Sequence, residues 1–321
     1  MTASIIIAVK TWQKNLEECV GKCLQLESCD FEIIILPDEP IEEKLPASQA
    51  SIVIIPTGPV NPSEKRDIAL KYAKGEILAF LDDDAYPEKN WLKKALEDFK
   101  DADVAAVGGP AVTPPTDSLR QRVSGAIYSS FLVSANYIYR YLPGKRQEVD
   151  DYPSCNFLAR KSVMQELGGF NTKFWPGEDT KLCLDITKRL GKKIIYDPLV
   201  LVYHHRRCAY PEHLKQVANY ALHRGYFVKR YPETSLKLSY FIPTILVLAA
   251  AIGAVLSFIL PSFAALYLAG LVLYLLLVFI FSFSGGIKIM PLVFAGIILT
   301  HATYGVFFIK GLFSRRLKEE L

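Results

Sequence analysis

Short apolar runs alternate with amphipathic stretches over about the first hundred residues. The stretches 14–27 and 63–74 repeat apolar positions at helical spacing, and the runs between them are rich in β-branched residues. These runs predict buried strands: SIIIAV, FEIIIL, SIVII, EILAFL and, further on, VAAVGGP. Strands joined by helices favour a parallel sheet, so the predicted fold class is an α/β nucleotide-binding architecture. Ligands of such sheets bind at the carboxyl ends of the strands.

A different pattern fills the C-terminal part, where no Asp, Glu, Lys or Arg occurs from Leu238 through Ile287. About 20 apolar residues cross about 30 Å of hydrocarbon as a helix, so this run is long enough for two membrane spans. A third apolar segment follows. The chain is therefore predicted to consist of an α/β domain and a membrane domain, with these bounds: 1–230 for the first, 231–321 for the second, and spans at about 239–260, 263–283 and 290–309.

The segment of about 118–142 mixes apolar residues with Arg120, Arg122, Arg140 and several aromatic residues. Its charges argue against a span, and its basic and aromatic character suits a helix that lies on a membrane surface. An ordinary amphipathic helix packed on the sheet is the alternative, and the sequence leaves both open.

Charge along the chain bears on location. The net charge of +4 is too small to indicate nucleic acid, but basic residues cluster just before the first span: Arg224, Lys229, Arg230 and Lys237. By the positive-inside rule, the α/β domain is expected in the cytosol, on a multi-pass protein of the inner or plasma membrane. Residues 1–10 form one short strand rather than a signal peptide, which agrees. Three crossings would place the basic tail on the opposite side, so either Glu319 and Glu320 weaken the bias or one segment does not cross.

Three consecutive carboxylates, Asp82, Asp83 and Asp84, follow EILAFL at the carboxyl end of a predicted strand. Like charges repel unless a cation joins them, and Mg²⁺ or Mn²⁺ is often held by one or two carboxylates plus substrate phosphates. The run predicts a metal-diphosphate site. A solvated acidic turn is the simpler alternative.

The order of landmarks over 58–92, GPVNPSEKRDIALKYAKGEILAFLDDDAYPEKNWL, resembles the family-2 glycosyltransferases of the GT-A fold. In that family a basic helix start and a Gly-Glu pair precede a strand, a DXD motif and Trp-Leu. The resemblance implies a GT-A, Rossmann-like fold, a nucleotide-diphosphate sugar donor, and a bound Mg²⁺ or Mn²⁺. Arg66 would be the family arginine and Asp82 and Asp84 the ends of the DXD motif, whereas Asp67 departs from the usual Asn.

The first strand and helix also resemble the family, with two departures that leave the nucleotide base open. Lys10-Thr11-Trp12 replaces Pro-x-Tyr-Asn, and Asp38 in ILPDEP is what remains of a pair of aspartates that reads the base. The donor-binding set implied by the resemblance is Val9, Thr11, Asp38, Arg66, Asp82, Asp83, Arg206 and Arg207.

Residues 154–191 resemble the acceptor-side block of the family, in which a Gly-Gly-Phe turn precedes an acidic pair at the start of a helix. Glu178 and Asp179 form that pair, and Asp179 matches the catalytic base. A sugar hydroxyl is a poor nucleophile and needs such a base as it attacks the anomeric carbon, which inverts that centre. Alternatively, Asp179 only favours the helix N-terminus electrostatically.

The run VYHHRR, 202–207, offers His204 or His205 as a further metal ligand and Arg206 and Arg207 as phosphate ligands. A basic surface turn near lipid headgroups is the alternative. Gln216-x-x-Asn219-Tyr220 lacks the Arg and Trp of the Gln-x-x-Arg-Trp motif of processive synthases, which favours the addition of one sugar.

The segment 300–313 resembles the last membrane segment of transferases that extend lipid-linked sugars. The expected function is therefore transfer of one sugar to a hydroxyl of a polyprenyl-linked glycan, in the synthesis of a surface polysaccharide or glycoprotein. Expected partners are a nucleotide sugar, that acceptor and the lipid bilayer, without nucleic acid, and self-association is compatible with the sequence. Two rivals remain: an enzyme that charges polyprenyl phosphate itself, which needs no base, and a non-catalytic sensor or scaffold, which would not need intact acidic sites.

Overall fold

The computed structural model describes residues 1–27, 30–41 and 50–320. They form two compact units, the first of Met1–Val112 with Leu142–His205 and the second of Thr113–Tyr141 with Arg206–Leu321. These units divide the chain differently from the predicted domains, since 113–141 and 206–230 group with the C-terminal helices. The predicted bounds of the catalytic domain stay a prediction.

The strands, in chain order, are β1 (Ala3–Ala8), β2 (Phe31–Leu36), β3 (Ser51–Ile54), β4 (Ile77–Asp82), β5 (Ala85–Pro87), β6 (Val104–Gly108), β7 (Ala111–Val112), β8 (Gln147–Val149), β9 (Asn156–Arg160), β10 (Lys193–Tyr196) and β11 (Val202–His204). The α-helices are α1 (Lys14–Cys23), α2 (Pro62–Ala69), α3 (Trp91–Asp98), α4 (Leu119–Tyr128), α5 (Phe131–Ser134), α6 (Lys161–Leu167), α7 (Glu178–Leu184), α8 (Pro211–Arg230), α9 (Pro232–Ser235), α10 (Leu238–Ile259), α11 (Pro261–Phe281) and α12 (Met290–Phe313).

An eight-stranded mixed sheet forms the centre of the first unit, in the order β3-β2-β1-β4-β9-β6-β10-β8. The strands β1 to β4 pair in parallel, as the alternation of runs and helices predicted. The sheet as a whole is mixed, because β9 runs antiparallel to both β4 and β6, and β8 antiparallel to β10.

The strand β1 is buried along its whole length and is apolar except for Ser4, because both of its faces are covered. Ile5, Ile6 and Ile7 of β1 are all fully buried. The turn before β4 packs closely against β1, because a Cβ on Gly75 would lie 2.4 Å from the backbone carbonyl carbon of Ala3. Only glycine fits there, so close packing against β1 explains the glycine of the Gly-Glu pair before β4.

Among the described residues, the second unit has three helical segments that are long and apolar enough to cross a membrane. They comprise α10, α11 and α12 with the short turns that follow the last two: Leu238–Ile259, Pro261–Gly285 and Met290–Glu320, with mean hydropathies of 2.5, 2.6 and 1.9. The prediction of such segments is confirmed. The third of them packs closely along α8, since a Cβ on Gly225 would lie 2.2 Å from the Phe308 carbonyl oxygen and one on Gly311 would lie 2.0 Å from that of Leu222. Small residues let helix backbones approach in this way.

The segment of about 118–142 is not one continuous helix. It forms α4, the short α5 and a 3₁₀ turn, Ala135–Arg140, with Ala135 at a φ of 45°. Ser118 caps α4 by accepting a hydrogen bond from the backbone of Gln121, and Ile127 of α4 packs against Gly296 of α12. That this segment lies on a membrane surface stays a prediction.

Candidate active site

The acidic run lies at the carboxyl end of β4, where a second, three-stranded sheet in the order β5-β11-β7 begins. β11 pairs antiparallel with β5 and places His204 opposite Ala85, the residue that follows Asp84. As a result, the His204 Nε2 atom lies 3.0 Å from the Asp84 Oδ1 atom. The backbone N–H of His205 donates to the Asp84 carbonyl oxygen at 2.9 Å, which holds the two segments together.

Asp82, Asp84 and His204 each offer one ligand atom, and these atoms all lie within 4.8 Å of one another. Ligand oxygens on opposite sides of one Mg²⁺ are about 4 Å apart, because each bond is about 2.1 Å long. Small side-chain rotations would therefore bring all three atoms onto one ion, so the donor set fits a divalent cation. Carboxylates suit Mg²⁺ and Mn²⁺ alike, whereas an imidazole ligand favours the softer Mn²⁺.

Asp83, the middle residue of the run, points to a different neighbour. Its carboxylate accepts a hydrogen bond from the Gln13 side-chain amide. Burial first, and then the charges of Asp84 and Asp82, raise the pKa of Asp83 to about 6. The charged form of Asp83 is thus disfavoured here, and the part of this cost that comes from its acidic neighbours is one that a bound cation relieves.

Arg66 joins the acidic run to the acidic pair. Its guanidinium is buried and donates to Asp82 Oδ1 at 2.7 Å and to Glu178 Oε1 at 3.2 Å. The start of α2 fixes this position, because the Asn61 side chain accepts the Glu64 N–H at 2.9 Å and Pro62 occupies the first helical turn. The Arg66 side chain therefore binds one carboxylate of the predicted metal site, Asp82, and one of the predicted acidic pair, Glu178.

The acidic pair Glu178-Asp179 opens α7, after Gly177 at a φ of 113°. Glu178 is buried, and burial together with the charge of Asp179 raises its pKa to about 7, although Arg66 opposes the shift. Asp179 is half-buried, and its Oδ1 accepts the Thr180 N–H at 2.7 Å. Asp179 is the more accessible of the two carboxylates to a substrate.

Two of the residues predicted to contact the nucleotide, Val9 and Asp38, are held by a lysine that the sequence analysis did not single out. Lys65 is buried, and its Nζ donates to the Val9 carbonyl oxygen at 2.7 Å, the Leu36 carbonyl oxygen at 3.1 Å and Asp38 Oδ1 at 2.5 Å. Lys65 directly precedes Arg66 on α2, so the Lys-Arg pair at this helix start was the sequence signal that could have identified it. Thr11 is exposed in the loop between β1 and α1.

The side chains of His205 and Arg206, which were also named from the sequence, have other partners. The His205 Nε2 atom lies 3.1 Å from Glu18 Oε2, and His205 is not one of the three residues Asp82, Asp84 and His204 that could hold a metal ion. Arg206 belongs to the second unit, where its Nε donates to Thr113 Oγ1 at 3.3 Å and its guanidinium lies over the Tyr141 ring. Arg207 is exposed in the same unit, and its role, like that of Arg206, stays a prediction.

A mixed α/β sheet with this acidic site at the end of a central strand defines a GT-A nucleotide-sugar transferase domain. A model of glycosyl transferase family 2 matches residues 4–168, about half of the chain, and the chain belongs to this family. The predicted family, the GT-A fold and the glycosyltransferase class are confirmed. The individual site residues stay predictions.

Similar proteins agree with this class. A pre-mycofactocin glycosyltransferase of Mycobacterium tuberculosis is 28% identical over 179 residues, 55% of this chain and 37% of that protein. A glucosyl-dolichyl phosphate glucuronosyltransferase of Haloferax volcanii is 24% identical over 150 residues, 44% of this chain and 47% of that protein. The aligned regions thus span less than half of either relative. A mannosyltransferase of Pyrobaculum calidifontis, solved with GDP-Man and Mn²⁺, shares the fold, with a TM-score of 0.65 at 19% identity over 98% of this chain and 88% of that one.

Proposed function

We propose that this chain transfers one sugar, with inversion, from a nucleotide-diphosphate sugar to a hydroxyl group of a polyprenyl-linked glycan at the cytosolic face of the cell membrane. The observation that carries the proposal is the arrangement around Arg66, which holds Asp82 of the metal group and Glu178 beside the base Asp179. Donor activation and acceptor deprotonation are thereby tied to one buried side chain.

At the donor end, Asp82, Asp84 and His204 would hold a Mn²⁺ or Mg²⁺ ion. When bound, such an ion neutralises charge that grows on the departing diphosphate. Asp38, which Lys65 holds in place, and the backbone near Val9 and Thr11 would bind the nucleoside. The mannosyltransferase of the same fold was solved with GDP-Man and Mn²⁺, which is in keeping with this assignment.

At the acceptor end, Asp179 would accept the proton of the attacking hydroxyl. Its side chain is half-buried, so it can meet a substrate, whereas buried Glu178 would act as a positioning residue through Arg66. A phosphate acceptor is already ionised and needs no base, which is why the intact pair favours a hydroxyl.

The acceptor class is supported by two features. The Haloferax volcanii relative is named for transfer onto a sugar carried by dolichyl phosphate. The three apolar helices of this chain would keep the enzyme in the bilayer, where a lipid-borne acceptor is also confined and the two meet at a high effective concentration.

The experiment is donor consumption and sugar transfer by the full chain purified in detergent. UDP-, GDP- and dTDP-sugars are tested with Mn²⁺ or Mg²⁺ and a polyprenyl-linked acceptor extract. Wild type is compared with Asp84→Ala, Asp179→Asn and the matched control Asp103→Asn, whose side chain is exposed on a surface turn. One donor should be consumed, the first two substitutions should lower transfer at least about a hundredfold, and the control should be unaffected.

Two results would count against the assignment. Full activity of Asp179→Asn would show that Asp179 is not the base and would point to a phosphate acceptor. Nucleotide binding without turnover of any donor would favour a sensor or scaffold.

His204→Ala adds a separate readout of the metal site. Loss of the imidazole should abolish any preference for Mn²⁺ over Mg²⁺, because only the two carboxylates then remain as ligands.

A further inference from the structure

One tryptophan is exposed three residues before the acidic pair. Of the three tryptophans in the chain, Trp91 is fully buried and Trp12 is half-buried, whereas Trp175 is 48% exposed. Holding a large apolar ring in water forgoes the free energy that its burial would contribute. Exposed indoles of this kind are enriched where a protein binds a partner.

The loop that carries Trp175 is anchored at its start. The backbone N–H of Phe170 donates to Asp67 Oδ1 at 2.7 Å. The Phe170 ring is buried against Phe80 at 5.2 Å between ring centroids and lies under the Arg66 guanidinium at 5.6 Å. At its other end the loop runs into Glu178, which also contacts Arg66. Both ends of the loop therefore meet at the arginine that joins the two halves of the site.

Within the loop, neighbouring residues face opposite ways. Phe174 is buried, and its N–H donates to Thr172 Oγ1 at 3.2 Å, whereas Trp175 next to it is exposed. Three residues span at most about 10 Å, so the backbone of Trp175 lies within about that distance of Glu178. The loop thus presents an indole to solvent beside the proposed base.

We propose that Trp175 is the platform on which the acceptor sugar stacks, so that the acceptor is a pyranose rather than a bare polyprenyl phosphate. The chemistry favours a sugar, because one face of a pyranose carries C–H groups that pack on a flat ring. An aromatic face is electrostatically negative and would repel a phosphate. This inference rests on the proposed function and deepens it by naming the class of acceptor.

The test measures acceptor kinetics with defined probes: octyl glycosides of glucose, mannose and N-acetylglucosamine, and polyprenyl phosphate. Trp175→Ala should raise the acceptor KM about ten- to a hundredfold, the range that stacking on one aromatic ring supports. The Kd for nucleoside diphosphate with Mn²⁺ and the kcat at saturating acceptor should change less than about twofold. Trp175→Phe should retain most of the affinity, and Tyr72→Ala, which removes an exposed ring elsewhere in the first unit, is the matched control.

Fluorescence provides a readout that does not need turnover. A glycoside that stacks on Trp175 should shift or quench tryptophan emission in wild type and leave it unchanged in Trp175→Phe. The inference is overturned if Trp175→Ala keeps the acceptor KM, or if wild type glycosylates polyprenyl phosphate and no glycoside. If wild type consumes no donor, the proposed function is wrong. In that case the role of Trp175 is judged by fluorescence alone, and it is overturned if no glycoside changes the tryptophan emission of wild type.

Discussion

Replacing Glu178 with glutamine is expected to stabilise the protein above pH 7 and to leave its stability unchanged near pH 4.5. The pKa of Glu178 rises from 4.5 to about 7 in the folded chain, because its carboxyl is buried next to Asp179. Below about pH 4.5 the side chain is neutral in both the folded and the unfolded state and behaves like glutamine. Between about pH 4.5 and pH 7, Glu178 is ionised in the unfolded chain but still largely neutral in the folded one. The free energy of unfolding of wild type therefore falls as the pH rises through this range.

The size of the effect follows from the shift. Each pKa unit corresponds to about 1.4 kcal/mol, so the ionised carboxylate costs about 3 kcal/mol once the pH exceeds 7. For a unit of about 150 to 250 residues, 1 kcal/mol moves the Tm by about 2–4 °C, which predicts a gain of about 6–12 °C at pH 8. Glutamine keeps an oxygen that can accept the Arg66 N–H, so this contact survives in part. Transfer activity should nevertheless fall, since the charge lies in the proposed site.

The assay is thermal unfolding of wild type and Glu178→Gln in detergent at pH 4.5 and pH 8. Glu166→Gln, at an exposed position of α6, is the matched control and should change stability by less than about 0.5 kcal/mol at either pH. Equal Tm values for wild type and Glu178→Gln at pH 8, or a difference that does not depend on pH, would refute the reasoning.

Two further predictions concern packing. Asp67→Ala should lower stability by about 1–3 kcal/mol in thermal unfolding, because it removes the acceptor of the Phe170 N–H. Asp67→Asn keeps one acceptor oxygen for the Phe170 N–H and removes a charge that burial disfavours, so it should cost less than Asp67→Ala, and an equal loss in both variants would contradict this account. Gly311→Leu should destabilise the second unit to heat in detergent, because its Cβ would lie 2.0 Å from the Leu222 carbonyl oxygen. Gly270→Leu, which meets no atom within 4 Å, is its control, and equal Tm values for the two would argue against close packing of α8 and α12.

Several features could be predicted from the sequence because their causes are local. The run EILAFL between Gly75-Glu76 and the acidic residues marks a buried strand and the place where it ends, and β4 covers Ile77–Asp82. The apolar run from Leu238 reflects the length of a membrane span, and α10 begins at that residue. The family resemblance over 58–92 rests on the same local order.

Other features depend on which distant segments contact each other, and the spacing of residues along the chain does not predict those contacts. The choice between His204 and His205 follows from the register of β11 on β5, which places His204 beside Asp84 and His205 beside Glu18. The role of Arg66 between Asp82 and Glu178 likewise needs residues that are 112 positions apart.

The sequence by itself determined the strands β1 to β4 and β6, the apolar helices and the residue types that can hold a cation or accept a proton, because these follow from side-chain chemistry and local periodicity. Tertiary structure alone decided the antiparallel direction of β9, the histidine beside Asp84, and the place of Lys65 and Trp175. The physical reason is that strand register and long-range packing are set by the summed burial of the whole unit, to which each residue contributes only a small share.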